Sequence, residues 1–277
     1  MSDVATTGTA KVQRPPPLAR PWTRARVAGH ALVGFWILVG IGFVAYLVGA
    51  WNPELVARYG PRYWSGFKTT VALVSTSIVA GALLSIPVAL GRLSRNPVIG
   101  ALAYSYVYVF RGTPLLAQVF LIYYGLGQFS GALKSAGLWW FFRDAWYCGF
   151  LAFTLNTAAY QAEILQGAVR SVPRGQWEGA AALGVSKAYT FWRIITPQAL
   201  IVALRPYGNE IILMIKGSAI VAIITVYDLM GQARWVFSKT FDFQAYLWAA
   251  VIYLIIVETL RFSWDRLEGR LTRHLKR

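Results

Sequence analysis

The apolar stretch at residues 198–222 carries polar side chains that could act on a charged ligand. Arg205, Glu210 and Lys216 are ionisable, and Asn209 precedes the carboxylate. If this stretch crosses a membrane, each charge costs at least about 2.5 kcal/mol, so such residues face a bundle interior or a watery path. At about 100° per residue, Arg205, Asn209 and Lys216 fall within a helical stripe about 60° wide, with Glu210 on its border.

Two interpretations of Glu210 stay open. In the first, Asn209, Glu210 and Lys216 belong to a substrate path, and the carboxylate attracts an ammonium group or a cationic side chain. In the second, Glu210 pairs with Arg205 or Lys216 and only stabilises the bundle. The two interpretations differ in whether the carboxylate is needed for substrate affinity.

Glu163 is a weaker candidate of the same kind, in the apolar stretch 145–168. It could contact the substrate path as part of a gate. Its alternative role is structural, in an ion pair with Arg170, seven residues further along the chain. Because it is predicted to lie about one turn from a cytoplasmic end, the structural role is favoured.

The elements that must position these residues are membrane-spanning helices. The chain has 277 residues, of which 57% are hydrophobic and only 14% charged. Residues 31–50 contain no charge, and about 20 such residues cross a bilayer as a helix. The composition therefore predicts an all-α integral membrane protein with about six transmembrane helices. We place these spans at 29–50, 68–91, 113–129, 145–168, 198–222 and 243–262.

The net charge of +16 is explained by the membrane topology rather than by a surface that binds nucleic acid. Most basic residues fall in the two terminal tails, in 92–111 and in 170–193. These segments would all lie on the cytoplasmic side, as the positive-inside rule requires, with both termini inside. The loops 51–67, 130–144 and 223–242 would then lie outside.

This topology divides the chain into four predicted segments. Residues 1–28 form a disordered basic cytoplasmic tail, and 29–55 form an extra N-terminal transmembrane helix. Residues 56–270 form the main transmembrane domain, and 271–277 form a basic cytoplasmic C-terminal tail. The multi-pass chain would be surrounded by membrane lipid.

A helix break is predicted after the short apolar segment 98–110, at Arg111-Gly112-Thr113-Pro114. Pro114 suits the first turn of a helix and not its interior, so one helix would stop at Gly112 and a span would begin at Thr113. Arg111 would anchor the break at the membrane interface. One long kinked helix over 98–128 is the alternative.

The predicted cytoplasmic loop 169–197 is longer than a connection between two spans requires. Pro173 can begin a helix, and Gly184 suits its left-handed C-terminal turn. Ser186 can then cap a second helix. This pattern is typical of a short helix that sits in a cleft of a partner protein, although an interfacial helix on lipid headgroups would have the same spacing.

This loop resembles the "EAA" loop of ABC importer permeases, whose pattern is roughly E-A-A-x3-G-x9-I-x-L-P. The matching or equivalent positions are Glu178, Gly179, Ala180, Ala181, Leu183, Gly184 and Pro197. Gly179 stands where alanine is usual, and Thr196 where leucine is usual. Phe110 to Leu116, Tyr160 to Ile164 and Ser171 to Glu178 also look like the polar amino-acid branch of that family, of the histidine, lysine, arginine and opine type. The resemblance covers about residues 58–270.

The resemblance implies the fold of MetI-like ABC importer permeases, with a cytoplasmic coupling helix. It implies a subunit of the bacterial inner membrane that moves amino acids from periplasm to cytoplasm. Its partners would be a second permease subunit, a cytosolic ABC ATPase dimer and a periplasmic amino-acid-binding protein. The sequence has no G-x-x-x-x-G-K-[ST] phosphate loop, so ATP and Mg²⁺ are expected on the ATPase, with no cofactor, metal or nucleic acid bound by this chain. The chain is therefore not expected to be an enzyme, and an ion-coupled secondary transporter is the alternative function.

Overall fold

The computed structural model describes residues 22–49, 51 and 53–273. The described residues are almost entirely helical and contain no β-strand. The chain separates into two compact units, Met1–Asn52 and Pro53–Arg277. Most of the predicted N-terminal tail (residues 1–21) and the last four residues lie outside the described part of the chain.

The first unit contains one described helix, α1 (Arg24–Gly49). It begins before the predicted boundary at residue 29, because the Thr23 hydroxyl oxygen accepts a hydrogen bond from the Arg26 amide at 3.3 Å and caps the first turn. Within α1, only Leu47 is buried in this structure. An almost wholly exposed apolar helix of 26 residues has the character of a membrane span.

The second unit contains eleven helices among the described residues. They are α2 (Pro53–Leu93), α3 (Pro97–Gly112), α4 (Leu115–Phe120), α5 (Ser130–Ser135), α6 (Trp139–Phe142), α7 (Ala145–Ser171), α8 (Arg174–Ala182), α9 (Lys187–Tyr189), α10 (Thr196–Gly217), α11 (Leu229–Thr240) and α12 (Gln244–Leu271). Wider π-helical turns follow α4 and α9, and a 3₁₀ segment, Ser218–Ile224, follows α10. Hence the predicted loops 130–144 and 223–242 contain short helices.

The prediction of a loop over 51–67 was wrong, because α2 begins at Pro53 and runs for 41 residues. Proline suits a helix start, and the acidic Glu54 favours the positive end of the helix dipole. Pro61 lies inside the helix, where it removes one backbone hydrogen bond. Tertiary contacts compensate: Tyr59 is buried, and the Tyr63 hydroxyl donates to the Ala245 carbonyl at 2.8 Å.

The helix break predicted at Gly112 is confirmed, and the single kinked helix is not formed. The helices on either side of Thr113 and Pro114 differ in direction by 103°. Thr113 is extended, with φ −112° and ψ 146°, as steric contact with a following proline favours. Pro114 then precedes the first turn of α4.

Four helical stretches are long and apolar enough to cross a membrane, among the residues that the structure describes. They are α1, α2, Lys187–Ile224 and α12, and the bent pair α3–α4 counts as a fifth if it forms one span. The expectation of about six is therefore approximate. The remaining long helix, α7, has 27 residues but carries buried Asn, Thr and Gln side chains that lower its hydropathy.

Helix α7 lies at the centre of the second unit, packed between α2 and α10. Phe153 of α7 is fully buried with Leu73 of α2 and Val221. The helices α2 and α7 approach closely at Gly81, where an added Cβ would overlap the Thr157 methyl group. Because its neighbours shield α7, this helix can carry polar groups that an exposed span could not.

Candidate functional site

The predicted coupling loop, residues 169–197, contains a separate short helix, α8, whose ends form as the sequence predicts. Gly184 has φ +71°, a left-handed conformation that glycine adopts without steric cost. The Gly184 amide donates to the Ala181 carbonyl and the Val185 amide to the Ala180 carbonyl, each at 3.0 Å. This pair of bonds is a Schellman motif. Ser186 accepts from the Tyr189 amide at 3.4 Å and begins α9.

One side of α8 is fixed to the bundle. Trp177 packs against a cluster that contains Val172, at the end of α7, and Ile195, just before α10. Its ring centroid lies 6.4 Å from that of Phe191. Ala180 is also buried, whereas Gly179 and Ala181 are exposed. A displacement of α8 would therefore be transmitted to both α7 and α10.

The other side of the loop presents apolar side chains that are largely exposed. Leu183 is 83% exposed, and Tyr189 and Trp192 are more than half exposed. Glu178 and Pro197 are exposed as well. Exposed apolar groups around a rigid short helix are typical of a protein-binding surface.

The polar residues of α10 divide between two faces. Arg205, Asn209 and Lys216 are exposed along one face, as the helical spacing predicts. Glu210 is only 6% exposed and points toward α7. The expected pairing of Glu210 with Arg205 or Lys216 is absent, since Arg205 instead pairs with Glu268 of α12 at 3.0 Å.

Glu210 belongs to a chain of buried hydrogen bonds. The Thr157 hydroxyl donates to Glu210 Oε1 at 2.9 Å. Gln161 Nε2 donates to the Thr157 oxygen at 3.0 Å and to the Ile78 carbonyl at 3.3 Å. These bonds join polar side chains of α10 and α7 to the backbone of α2. A buried carboxylate held in this way has a fixed orientation.

Glu163 pairs with two arginines, and the prediction of Arg170 as its partner was wrong. Arg92 of α2 and Arg111 of α3 each place a guanidinium nitrogen 3.4 Å from Glu163 Oε2. Arg111 also lies over the Tyr160 ring, 5.2 Å from its centroid. The partners come from separate helices that pack on α7. Glu163 thus connects α2, the end of α3 and α7.

Two buried amides at the helix break were missed by the sequence interpretation. Gln118 Nε2 donates to the Phe110 carbonyl at 2.8 Å and to the Thr113 carbonyl at 3.1 Å. Asn156 Nδ2 donates to the Phe110 carbonyl at 3.1 Å and to Gln118 Oε1 at 3.0 Å. These bonds satisfy carbonyl groups that the end of α3 leaves without helical partners. Uncharged amides inside apolar spans were the signal that could have revealed them.

In the described part of the chain, no three His, Cys, Asp or Glu side chains lie close enough together to hold a metal ion. The arrangement instead combines a broken, polar-lined helix bundle with an exposed short helix. Together, fold and site define a helical membrane transport subunit.

The chain belongs to the family described as binding-protein-dependent transport system inner membrane component. Residues 77–277 match the sequence pattern of this family. The nopaline transport system permease protein NocM of Agrobacterium fabrum is 44% identical over 204 residues, covering 73% of this chain and 85% of the relative. The arginine ABC transporter permease protein ArtM of Escherichia coli is 35% identical over 199 residues, covering 72% and 89%. Family membership identifies a multi-pass permease subunit of the inner membrane rather than an enzyme.

Solved structures give the same fold. A chain from the crystal structure of an amino acid ABC transporter with histidines superposes with a TM-score of 0.72 at 35% identity, covering 80% of this chain and 99% of that one. A chain of the MetNI methionine ABC transporter, in an inward-facing conformation, has a TM-score of 0.62 at 19% identity, covering 79% and 97%. The expected MetI-like permease fold is thereby confirmed.

Proposed function

We propose that this chain is the permease subunit of an ATP-driven importer for amino acids, with cationic amino acids or opines as the substrate class. The relatives named for nopaline and arginine transport support this class. Family membership favours ATP-driven import over ion-coupled secondary transport. The chain would work with a second permease subunit, a cytosolic ATPase dimer and a periplasmic amino-acid-binding protein.

The observation that carries the proposal is the construction of α8. Its apolar outer side, around Leu183, is free to enter a cleft of the ATPase, while Trp177 fixes its inner side to the bundle. Glu178, Gly179 and Ala181 lie on the exposed part of the same helix. ATP-driven movement of the partner would reach α7 and α10 through Trp177.

The exposed face of α10 is our candidate for the substrate path. Asn209 and Lys216 supply polar groups on this face, which the second permease subunit would cover. Glu210 lies behind this face, and its carboxylate, held by the Thr157 hydroxyl, would attract a cationic substrate. Glu163 and its arginines would hold the end of the path nearest α8. We place both termini and α8 in the cytoplasm, with ATP and Mg²⁺ on the partner and no cofactor on this chain.

Leu183→Asp tests the docking role directly. Because Leu183 is 83% exposed, the change removes little packing within this chain and should leave the melting temperature of the isolated permease within about 1 °C. A buried charge at a partner interface should weaken ATPase binding at least tenfold, with substrate uptake falling in proportion. The measurements are co-purification with the ATPase and uptake into proteoliposomes.

Leu138→Asp is the matched control, since Leu138 is also exposed but precedes α6, far along the chain from the coupling loop. It should leave ATPase binding unchanged. If Leu183→Asp bound the ATPase with normal affinity, α8 would not be the docking element.

Glu210→Gln separately tests the substrate path. Unchanged substrate affinity and selectivity at normal expression would remove Glu210 from this path.

A further inference from the structure

A cationic cavity between α2 and α11 has no role in the function proposed above. It has a volume of about 520 Å³ and is lined by Arg58, Tyr59, Arg62, Trp235 and Lys239. Three of these five side chains are cations, and the other two are aromatic. In the described part of the chain, none of the three cations forms an ion pair with a carboxylate.

The spacing brings these cations together from two helices. Arg58 and Arg62 are one turn apart on α2, and Trp235 and Lys239 are one turn apart on α11. Like charges at this spacing repel each other and destabilise a helix. A counter-anion in the cavity would remove that repulsion.

Trp235 holds the two flanking cations in place. The guanidinium carbon of Arg62 lies 3.4 Å from the ring centroid, and Lys239 Nζ lies 5.8 Å from it. A guanidinium so close to the centroid lies over the face of the indole. Its N–H donors, which lie in its own plane, therefore remain free to bind an anion in a fork.

The floor of the cavity is rigid, so the cations cannot separate easily. Tyr59 is buried in a cluster with Val236 and Ala245, against which Trp235 packs. At Gly66, an added Cβ would lie 2.8 Å from the Asp228 carbonyl, so the backbones of α2 and the start of α11 nearly touch. The cavity is thus preformed, which lowers the entropy cost of binding.

The cavity lies at the end of the bundle away from the coupling loop. Ser77 of α2 bonds to the Phe150 carbonyl of α7, and Arg92 further along α2 pairs with Glu163 further along α7. The two helices therefore run in the same direction. Because α7 leads into the coupling loop, the start of α2 lies at the opposite end.

We infer that this cavity binds the phosphodiester headgroup of an anionic membrane lipid. Trp and Tyr side chains concentrate at both membrane–water interfaces, and clustered Lys and Arg side chains close to a membrane surface attract anionic lipid headgroups. Arginine presents paired donors that match two phosphate oxygens. The cavity thus combines interfacial aromatic rings with a fork of donors and the positive charge that an anionic lipid requires.

The test uses the full chain purified with its partner subunits in detergent. Dihexanoyl phosphatidylglycerol is titrated, with dihexanoyl phosphatidylcholine and inorganic phosphate in parallel, and binding is read from native mass spectra and from the melting temperature. Phosphatidylglycerol should bind and raise the melting temperature more than either alternative. Arg62→Gln and Lys239→Gln should each weaken its binding about fivefold.

Arg234→Gln is the matched control, because it removes an exposed cation from the same helix outside the cavity. It should bind phosphatidylglycerol like the unaltered chain. Arg62→Lys, which keeps the charge but loses the fork, should bind with intermediate affinity. Equal binding of phosphatidylcholine, equal binding of inorganic phosphate, or an equal effect of Arg234→Gln would each overturn the inference.

An acidic surface of the binding protein is the rival ligand, and vesicles made only of phosphatidylcholine separate the two. In those vesicles, ATPase stimulation by the binding protein should be the same for Arg62→Gln and for the unaltered chain. A weaker response of the variant there would assign the cavity to the protein partner and overturn the lipid site. Since Lys239 is exposed, Lys239→Gln keeps the test valid if Arg62→Gln folds poorly.

Discussion

Two glycines of the coupling loop should respond in opposite directions to the same substitution. Gly184 has φ +71°, where alanine costs about 1–2 kcal/mol, partly offset by about 0.4–1 kcal/mol through the unfolded chain. Gly179 lies inside α8 with no atom within 4 Å of an added Cβ. There, alanine should stabilise the helix by about 0.5–1 kcal/mol. Gly179→Ala is thus the matched control for Gly184→Ala.

The two variants should differ by about 1.5 kcal/mol in the local stability of α8, or roughly tenfold in its opening equilibrium. Hydrogen exchange of the purified permease complex measures this directly. The informative amides are those of Gly184 and Val185, which bond to the last turn of α8. They should exchange faster in Gly184→Ala and slower in Gly179→Ala than in the unaltered chain.

The same pair connects local stability with transport. Uptake per ATP hydrolysed should fall in Gly184→Ala, because a frayed α8 transmits less movement to the bundle, and should be maintained in Gly179→Ala. If exchange in Gly184→Ala were no faster than in the unaltered chain, the left-handed turn would not limit the stability of α8. If exchange changed as expected without any effect on uptake, α8 would not be the coupling element.

Three further predictions concern the bundle. Burial raises the pKa of Asp228 from 3.8 to about 6, so the folded chain favours the protonated carboxyl. This preference stabilises the fold by at most about 3 kcal/mol below pH 4, and the stabilisation is lost as the pH rises through 6. The melting temperature should therefore fall less between pH 4 and pH 7 in Asp228→Asn, and an unchanged fall would refute this. Gly208→Ala should destabilise the fold by about 1–3 kcal/mol in thermal unfolding, because the added Cβ would overlap the Trp264 indole. Gly167→Ala is the control, since its added Cβ would lie in open space and should not destabilise the fold. Equal melting temperatures of the two variants would contradict this packing. Glu163→Gln leaves two arginines facing each other and should lower the melting temperature by a few degrees. If 1 M NaCl did not reduce this fall in melting temperature, charge repulsion between the arginines would not be its cause.

Local sequence signals were sufficient for the main helices, the break and the coupling helix. The break depends on Thr113 and Pro114, whose backbone preferences are intrinsic to those residues. The ends of α8 depend on Gly184 and Ser186 in the same way. Each signal involves residues within a few positions of one another, so no knowledge of the remaining fold is needed.

The start of α2 shows where such signals fail. Pro61 favours a loop when it is considered with its neighbours alone, yet the helix passes through it. The compensation comes from Tyr63, which reaches a carbonyl of α12 that is 182 residues away in the chain. Contacts between distant segments depend on the packing of the whole bundle, so the sequence pattern did not reveal this one.

By itself, the sequence determined that the chain is a helical membrane permease and where the short helix α8 lies. Hydropathy, caps and charge bias arise within single helices, and the permease motifs are short. Only the tertiary structure decided what the polar groups within the bundle contact. Glu163 meets Arg92, 71 residues away, rather than nearby Arg170, and Glu210 bonds to Thr157 rather than to a charge on its own helix. A buried charge takes the partner that helix packing brings within reach, and that partner has no fixed distance along the chain.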